Sequence, residues 1–148
     1  MTYVLLPAPL PTSALGCWEP ELPAFTHVVG FSRLGHFFLC NQESGEFGVC
    51  HAFRKAYKNY GTFASVAEFE ARIVKDEGFA EYVLRPEHQA ALAKVLGPLA
   101  PEEVYIPQPY PFLGGSEEVD TYGKGSFWAF AELVGICHGY GAGSSSAA

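Results

Sequence analysis

No lysine or arginine precedes Arg33 in this chain. A secretory signal needs a basic start and an unbroken apolar stretch of about 7–15 residues. Pro7, Pro9 and Pro11 interrupt the only candidate stretch. Ala14-Leu15-Gly16-Cys17, which has the outline of a lipoprotein cleavage site, is therefore expected to stay uncut. No apolar run approaches the roughly 20 residues of a membrane helix, so the chain is expected to stay in the cytoplasm. The four cysteines, Cys17, Cys40, Cys50 and Cys137, form no CxxC pair. The common zinc and redox spacings are thereby excluded, and ordinary reduced thiols are expected.

Other chemistry is missing as well. There is no G-x-S-x-G elbow, and His88 is followed by Gln89, so no H-E-x-x-H helix exists. Gly123-Lys124-Gly125-Ser126 lacks the glycine spacing of a phosphate loop and reads as a turn with a helix cap. Neighbours on a strand face opposite ways, so Cys50 and His51 do not share one ion easily. A hairpin loop centred on Glu43 and Ser44 puts Cys40 opposite Phe47 and Cys50 opposite Phe37. The two thiols then lie on the order of 10 Å apart, too far for a disulfide or a shared zinc. Glu102-Glu103 and Glu117-Glu118 could serve acid–base chemistry, but they flank turn-like segments where carboxylates are solvated. The expectation is no catalytic residue, no metal, no cofactor and no enzyme.

What the chain does have is apolar and aromatic content. Its 148 residues fit one domain, and 49% hydrophobic with 15% aromatic composition is ample for a core. Twelve Phe, eight Tyr and two Trp are many for this length, so burial is expected to come largely from rings. Charge is unevenly placed. Residues 1–67 hold four acids and four bases, whereas residues 68–148 hold twelve acids against five bases. All of the net charge of −7 therefore sits beyond residue 67. Such a surface repels nucleic acid and anionic membrane and steers a basic protein toward it.

Residues 1–24 carry five prolines and read as an extended arm wrapping the surface, with Trp18 pinning it to the core. Residues 25–140 read as one α+β domain, mostly antiparallel sheet with a hairpin and three or more packed helices. Phe25–Phe31 is a strand; His36–Cys40 and Glu46–Phe53 form the hairpin, and Phe37-Phe38-Leu39 predicts burial on both faces. Ser65 and Glu68 form a capping box for a helix with Val66, Phe69 and Ile73 on one face. A helix from Pro86 with Leu92, Val95 and Leu96 as its stripe stops at Gly97. Val104–Ile106 is a short edge strand, and Glu117–Tyr122 is another. Ser126 caps a last helix that buries Phe127, Phe130, Ala131 and Val134, with Cys137 or His138 completing the face, and ends at Gly139. Residues 141–148 are a disordered Gly/Ser tail. Strands followed by helices favour α+β over a parallel βαβ sheet.

Leu96-Gly97-Pro98-Leu99, Glu103-Val104-Tyr105, Pro111 and Leu113-Gly114-Gly115 resemble the C-terminal domain of type VI secretion immunity proteins that antagonise DNase toxins. Gly35-His36-Phe37-Phe38-Leu39, Gly45-Glu46-Phe47 and the helix containing Phe69 are similar to its upstream part. The resemblance spans roughly residues 30–140, and its anchors are turn residues that mark a fold. In that family the domain often follows a GAD-like domain, which is missing here and implies a minimal version. The proline-rich arm is a second departure. The resemblance implies a binding protein that occludes a cognate toxin, with an acidic face of Glu102, Glu103, Glu117, Glu118 and Asp120. Tyr105, Tyr110 and Tyr122 are its candidate anchors, since interfaces favour tyrosine. The alternative is a SUKH-like or other regulatory protein-binding module with no toxin partner.

Overall fold

The computed structural model describes residues 1–141. Apart from Gly141, the expected Gly/Ser tail lies outside the described residues. The chain forms β1 (Tyr3–Pro11), a 3-10 segment (Thr12–Glu21), β2 (His27–Ser32), β3 (Phe37–Cys40), β4 (Glu46–His51) and β5 (Ala56–Thr62). Strands β1 to β5 make one antiparallel sheet in chain order. Two short helices follow, α1 (Val66–Phe69) and α2 (Glu77–Phe79), each continued by a π turn, Glu70–Val74 and Ala80–Leu84. Then come α3 (Pro86–Leu96), β6 (Glu103–Pro107), β7 (Tyr122–Ser126) and α4 (Phe127–Cys137). Strands β6 and β7 pair antiparallel as a second sheet. The architecture is α+β, as the sequence predicts.

Side-chain alternation in the five-stranded sheet produces two cores. From β3, Phe37 and Leu39 face Trp18, Phe31, Phe127, Phe130 and Val134, with α4 and the 3-10 segment as cover. Phe38 and Cys40 face the other way, onto Val49, Phe69, Val74, Phe79 and Leu84. Phe37, Phe38 and Leu39 are fully buried, which explains why three apolar residues stand in a row. Each buried phenylalanine contributes roughly 1.5–3 kcal/mol of apolar transfer. A bulge between Val28 and Gly30 lets Val28 and Phe31 point into the same core. The hairpin register is the expected one, with Phe37 opposite Cys50 and Cys40 opposite Phe47, and all four cysteines are free.

Residues 1–24 are more than a surface arm. Tyr3–Pro11 is an edge strand on β2, paired over Tyr3–Leu5 and again at Leu10–Pro11, with the register shifting between. The edge position tolerates Pro7, Pro9 and Pro11, because a proline has no N–H to offer a central ladder. Trp18 is buried and donates Nε1–H to the Ala131 carbonyl at 2.8 Å. The α4 backbone comes so close there that a Cβ on Gly135 would sit 2.5 Å from Cys17 Sγ.

Three local expectations need correction. Glu117–Tyr122 is not a strand: Val119–Thr121 is a 3-10 turn, and β7 starts at Tyr122. On α3, Val95 is 63% exposed, and the buried face is Gln89 and Leu92. Gln89 takes that place because its Nε2 donates to the carbonyls of Leu84 (2.7 Å) and Thr2 (3.1 Å). On α4, Cys137 is exposed, while His138 is half-buried with Nε2 2.5 Å from the Ala52 carbonyl. The caps are as expected in kind: Ser65 Oγ accepts from Glu68 N and Ser126 Oγ from Ala129 N. Glu68 Oε1, however, accepts from Ala64 N rather than from Ser65 N.

Candidate functional site

Four stretches far apart in sequence meet at one edge of the molecule. The β2–β3 turn brings Leu34 and His36, and the end of β4 with the 3-10 turn Ala52–Arg54 brings His51, Phe53 and Arg54. The π turn before α3 and the residue after it bring Tyr82 and Arg85, and the approach to β7 brings Glu117 and Tyr122. These residues line a cleft of about 280 Å³.

Ser32 fixes the first histidine. Its Oγ accepts from the backbone N–H groups of Leu34 (3.2 Å) and His36 (3.0 Å). With both lone pairs engaged, the hydroxyl gives its own hydrogen to His36 Nδ1 at 2.7 Å. That bond holds the ring in the tautomer protonated on Nε2. Gly35, at φ 95°, makes the turn possible, and a Cβ there would strike the Phe130 ring. Burial, and then the charges of His51, Arg54 and Arg85, push His36 down to about 3.

The His51 ring stands edge-on to that of His36, with centroids 4.7 Å apart. Its pKa is also lowered, first by burial and then by Arg54, against a smaller upward pull from Glu117. Both rings are therefore neutral at pH 7. His51 Nδ1 is the one buried side-chain nitrogen or oxygen without a hydrogen-bond partner among the described residues. Arg85 sits in the left-handed region at φ 49°, between the π turn and Pro86, and its Nη1 bonds Glu117 Oε1 at 2.5 Å. The Arg54 side chain is exposed and makes no hydrogen bond or ion pair among the described residues. Tyr122 is raised to about 12 by burial and then by Glu117, and its hydroxyl lies 3.1 Å from His88 Nε2.

The cleft thus presents two guanidiniums, one carboxylate, two neutral imidazoles and two phenols. Ser32 is fully buried behind its histidine, and Cys50 lies in the core with burial raising its thiol to about 12. Neither is placed as a nucleophile. Among the described residues no group of three or more His, Cys, Asp or Glu could hold a metal ion.

The residues expected to form a partner-binding face divide into two sets. Glu117 and Tyr122 line the cleft, and Glu118 and Asp120 lie between them in the chain, at the turn Val119–Thr121 that packs on α3. Glu102 and Glu103 lie at the opposite end of the β6–β7 ladder, whose register runs from Glu103–Ser126 to Pro107–Tyr122. That is roughly 13 Å away along the strand. Glu102 Oε1 accepts from Trp128 Nε1, and Glu103 Oε1 from Ala100 N. Tyr105 is buried and donates its hydroxyl to the Gly97 carbonyl at 3.0 Å, so it is no surface anchor. Tyr110 is half-buried among Phe53, Phe112 and Phe130.

Tyr82 is 78% exposed. Beside it Glu77, Glu81 and Glu87 line a concavity that shares Arg85 with the cleft. No sequence signal pointed to Tyr82 or Arg85. The histidines could be singled out only as neighbours of a cysteine and of a glycine.

The fold and its edge cleft define a class, a single α+β domain built on a five-stranded antiparallel sheet. No family model matches the chain, and no curated protein matches it. Among solved structures, the crystal structure of Atu4351 from Agrobacterium tumefaciens matches with a TM-score of 0.57 at 18% identity. The match covers 84% of this chain and 63% of that one, so the chain spans less than two thirds of its neighbour. At that identity the likeness is one of fold. No helix among the described residues is long and apolar enough to cross a membrane.

Proposed function

We propose that this chain is a cytoplasmic immunity protein that binds a basic toxin and occludes its working surface. The observation that carries the reading is Tyr82, 78% exposed on a face where Glu77, Glu81, Glu87 and Glu117 gather around Arg85. A ring that exposed offers contact area, and tyrosine is enriched among interface anchors. The surrounding carboxylates speed encounter with a cationic partner and reject nucleic acid. Glu118 and Asp120 continue the face along the turn that packs on α3. The resemblance of residues 30–140 to immunity proteins against DNase toxins supports the same reading, since a DNA-cleaving surface is basic.

Co-expression with the product of the neighbouring gene is the direct test. A toxic neighbour whose growth defect this chain rescues, and which co-purifies with it, is the expected result. Tyr82→Ala is expected to weaken the complex by about 2 kcal/mol or more. Glu117→Lys with Glu118→Lys and Asp120→Lys is expected to slow association and flatten its salt dependence. A harmless neighbour and no captured toxin would overturn the reading in favour of a regulatory module of the SUKH kind.

A further inference from the structure

We infer that the cleft between the His36–His51 pair and Arg85 is a binding site for a single oxyanion, a phosphate, sulfate or carboxylate group. The cleft shares Tyr82, Arg85 and Glu117 with the partner face above, but anion binding does not depend on that reading, and the sulfate titration below tests it without any partner.

The first argument is charge. The chain carries a net −7, yet the cleft is lined by two guanidiniums against one carboxylate. The chain has four arginines, and two of them stand here. Arg85 is matched by Glu117. Arg54 is matched by nothing among the described residues, and one added negative charge would balance it. The two neutral imidazoles add no charge that would compete.

The second argument is hydrogen-bonding character. A guanidinium donates through five N–H groups and accepts none. Arg85 spends one nitrogen on Glu117, in a single contact rather than a paired one. The Tyr122 hydroxyl at the cleft wall is already paired with His88 Nε2, so the free donors are those of the guanidiniums. Donors therefore outnumber acceptors, and planar guanidiniums suit carboxylate and phosphate oxygens in geometry. Leu34 and Phe53 supply apolar wall, which lowers the local dielectric and strengthens a charged contact.

The third argument is size. About 280 Å³ falls just under the range of roughly 300–1,000 Å³ typical of drug-sized ligands. It leaves ample room for one tetrahedral anion or the head of an acidic side chain.

A bound anion would also be felt by His51, which shares the cleft with His36, Tyr82, Arg54, Arg85, Glu117 and Tyr122. Negative charge beside an imidazole favours its protonated form, so His51 should titrate at higher pH when the site is filled.

The test is a titration of the full chain with sodium sulfate at constant ionic strength, chloride making up the balance. It is followed by NMR of the histidine rings and arginine side chains. Saturable shifts at His36, His51 and Arg54, with an upward move of the His51 titration, are expected. Arg54→Gln, an exposed position that should leave folding intact, is expected to weaken binding about tenfold or more, as is Arg85→Gln. A phosphoserine dipeptide run in parallel separates the two sources of the anion. Tighter binding than sulfate assigns the site to a partner's side chain, and weaker binding assigns it to a free ion. Shifts that are linear in salt and equal with chloride overturn the site, as do unchanged affinities in both arginine variants.

Discussion

Trp18 ties the first 24 residues to α4 through one hydrogen bond and a full indole of buried surface. Trp18→Ala is expected to cost about 3–5 kcal/mol, read as a shift in urea midpoint. Trp18→Phe should cost less, because it keeps part of the ring packing while giving up the bond to Ala131 and the volume of one ring. His36 makes stability depend on pH. Its pKa is about 3 when folded and about 6.5 when unfolded, so the native state binds fewer protons. The stability it supports is fully present above pH ~6.5 and is lost as pH falls from there toward the folded value. Unfolding at about pH 7.5 and about pH 4.5 should reveal that loss, and His36→Asn should shrink it. Thiol chemistry should separate Cys137 from Cys50. Cys137 is exposed, whereas the Cys50 thiol is buried and raised to about 12. A maleimide should label Cys137 in the native protein and reach Cys50 only on unfolding.

Among the elements, those with a strong local pattern were legible in the sequence. The hairpin register followed from a turn-rich loop between two apolar runs, and Ser65 and Ser126 cap their helices as expected. Strand β1 was not legible, because three prolines hide a strand wherever sheet position is unknown, and an edge tolerates them. The stripe on α3 was misread at Val95, since Gln89 fills the buried face by bonding two backbone carbonyls that only the tertiary fold supplies. The cleft was not legible for a similar reason. Its residues come from four stretches with no shared spacing, and only sheet order and the turn onto α3 bring them together. Close approach between elements can be tested at Gly48 of β4. A Cβ there would lie 2.4 Å from Phe25 Cζ, so Gly48→Ala should cost about 1–3 kcal/mol by thermal melting.

Over the whole molecule, burial and charge have separate homes. The two ring-rich cores lie on either side of the five-stranded sheet, while the acidic excess is carried by the second half of the chain. The face holding Glu77, Glu81, Glu87 and Glu117 belongs to that half and surrounds a small, locally positive cleft. A cationic partner and a single anion could thus occupy neighbouring places without competing for one charge. The resemblance to immunity proteins came from turn residues, and these identify a scaffold more readily than a contact surface.

Arg33 links the two sheets. It is 8% exposed, and its Nη1 lies within 2.8–3.1 Å of the carbonyls of Ala100, Pro101 and Glu103. Its own carbonyl accepts from Tyr105 N. Detaching β6 would give up these charge-assisted bonds and the Tyr105–Arg33 backbone bond together, at a cost of several kcal/mol. Fraying of the small sheet should therefore be suppressed until the large one opens, making the pair a single cooperative unit. In hydrogen exchange the β6 amides should take the same opening free energy as those of β2. Arg33→Met should uncouple them, letting the second sheet exchange first.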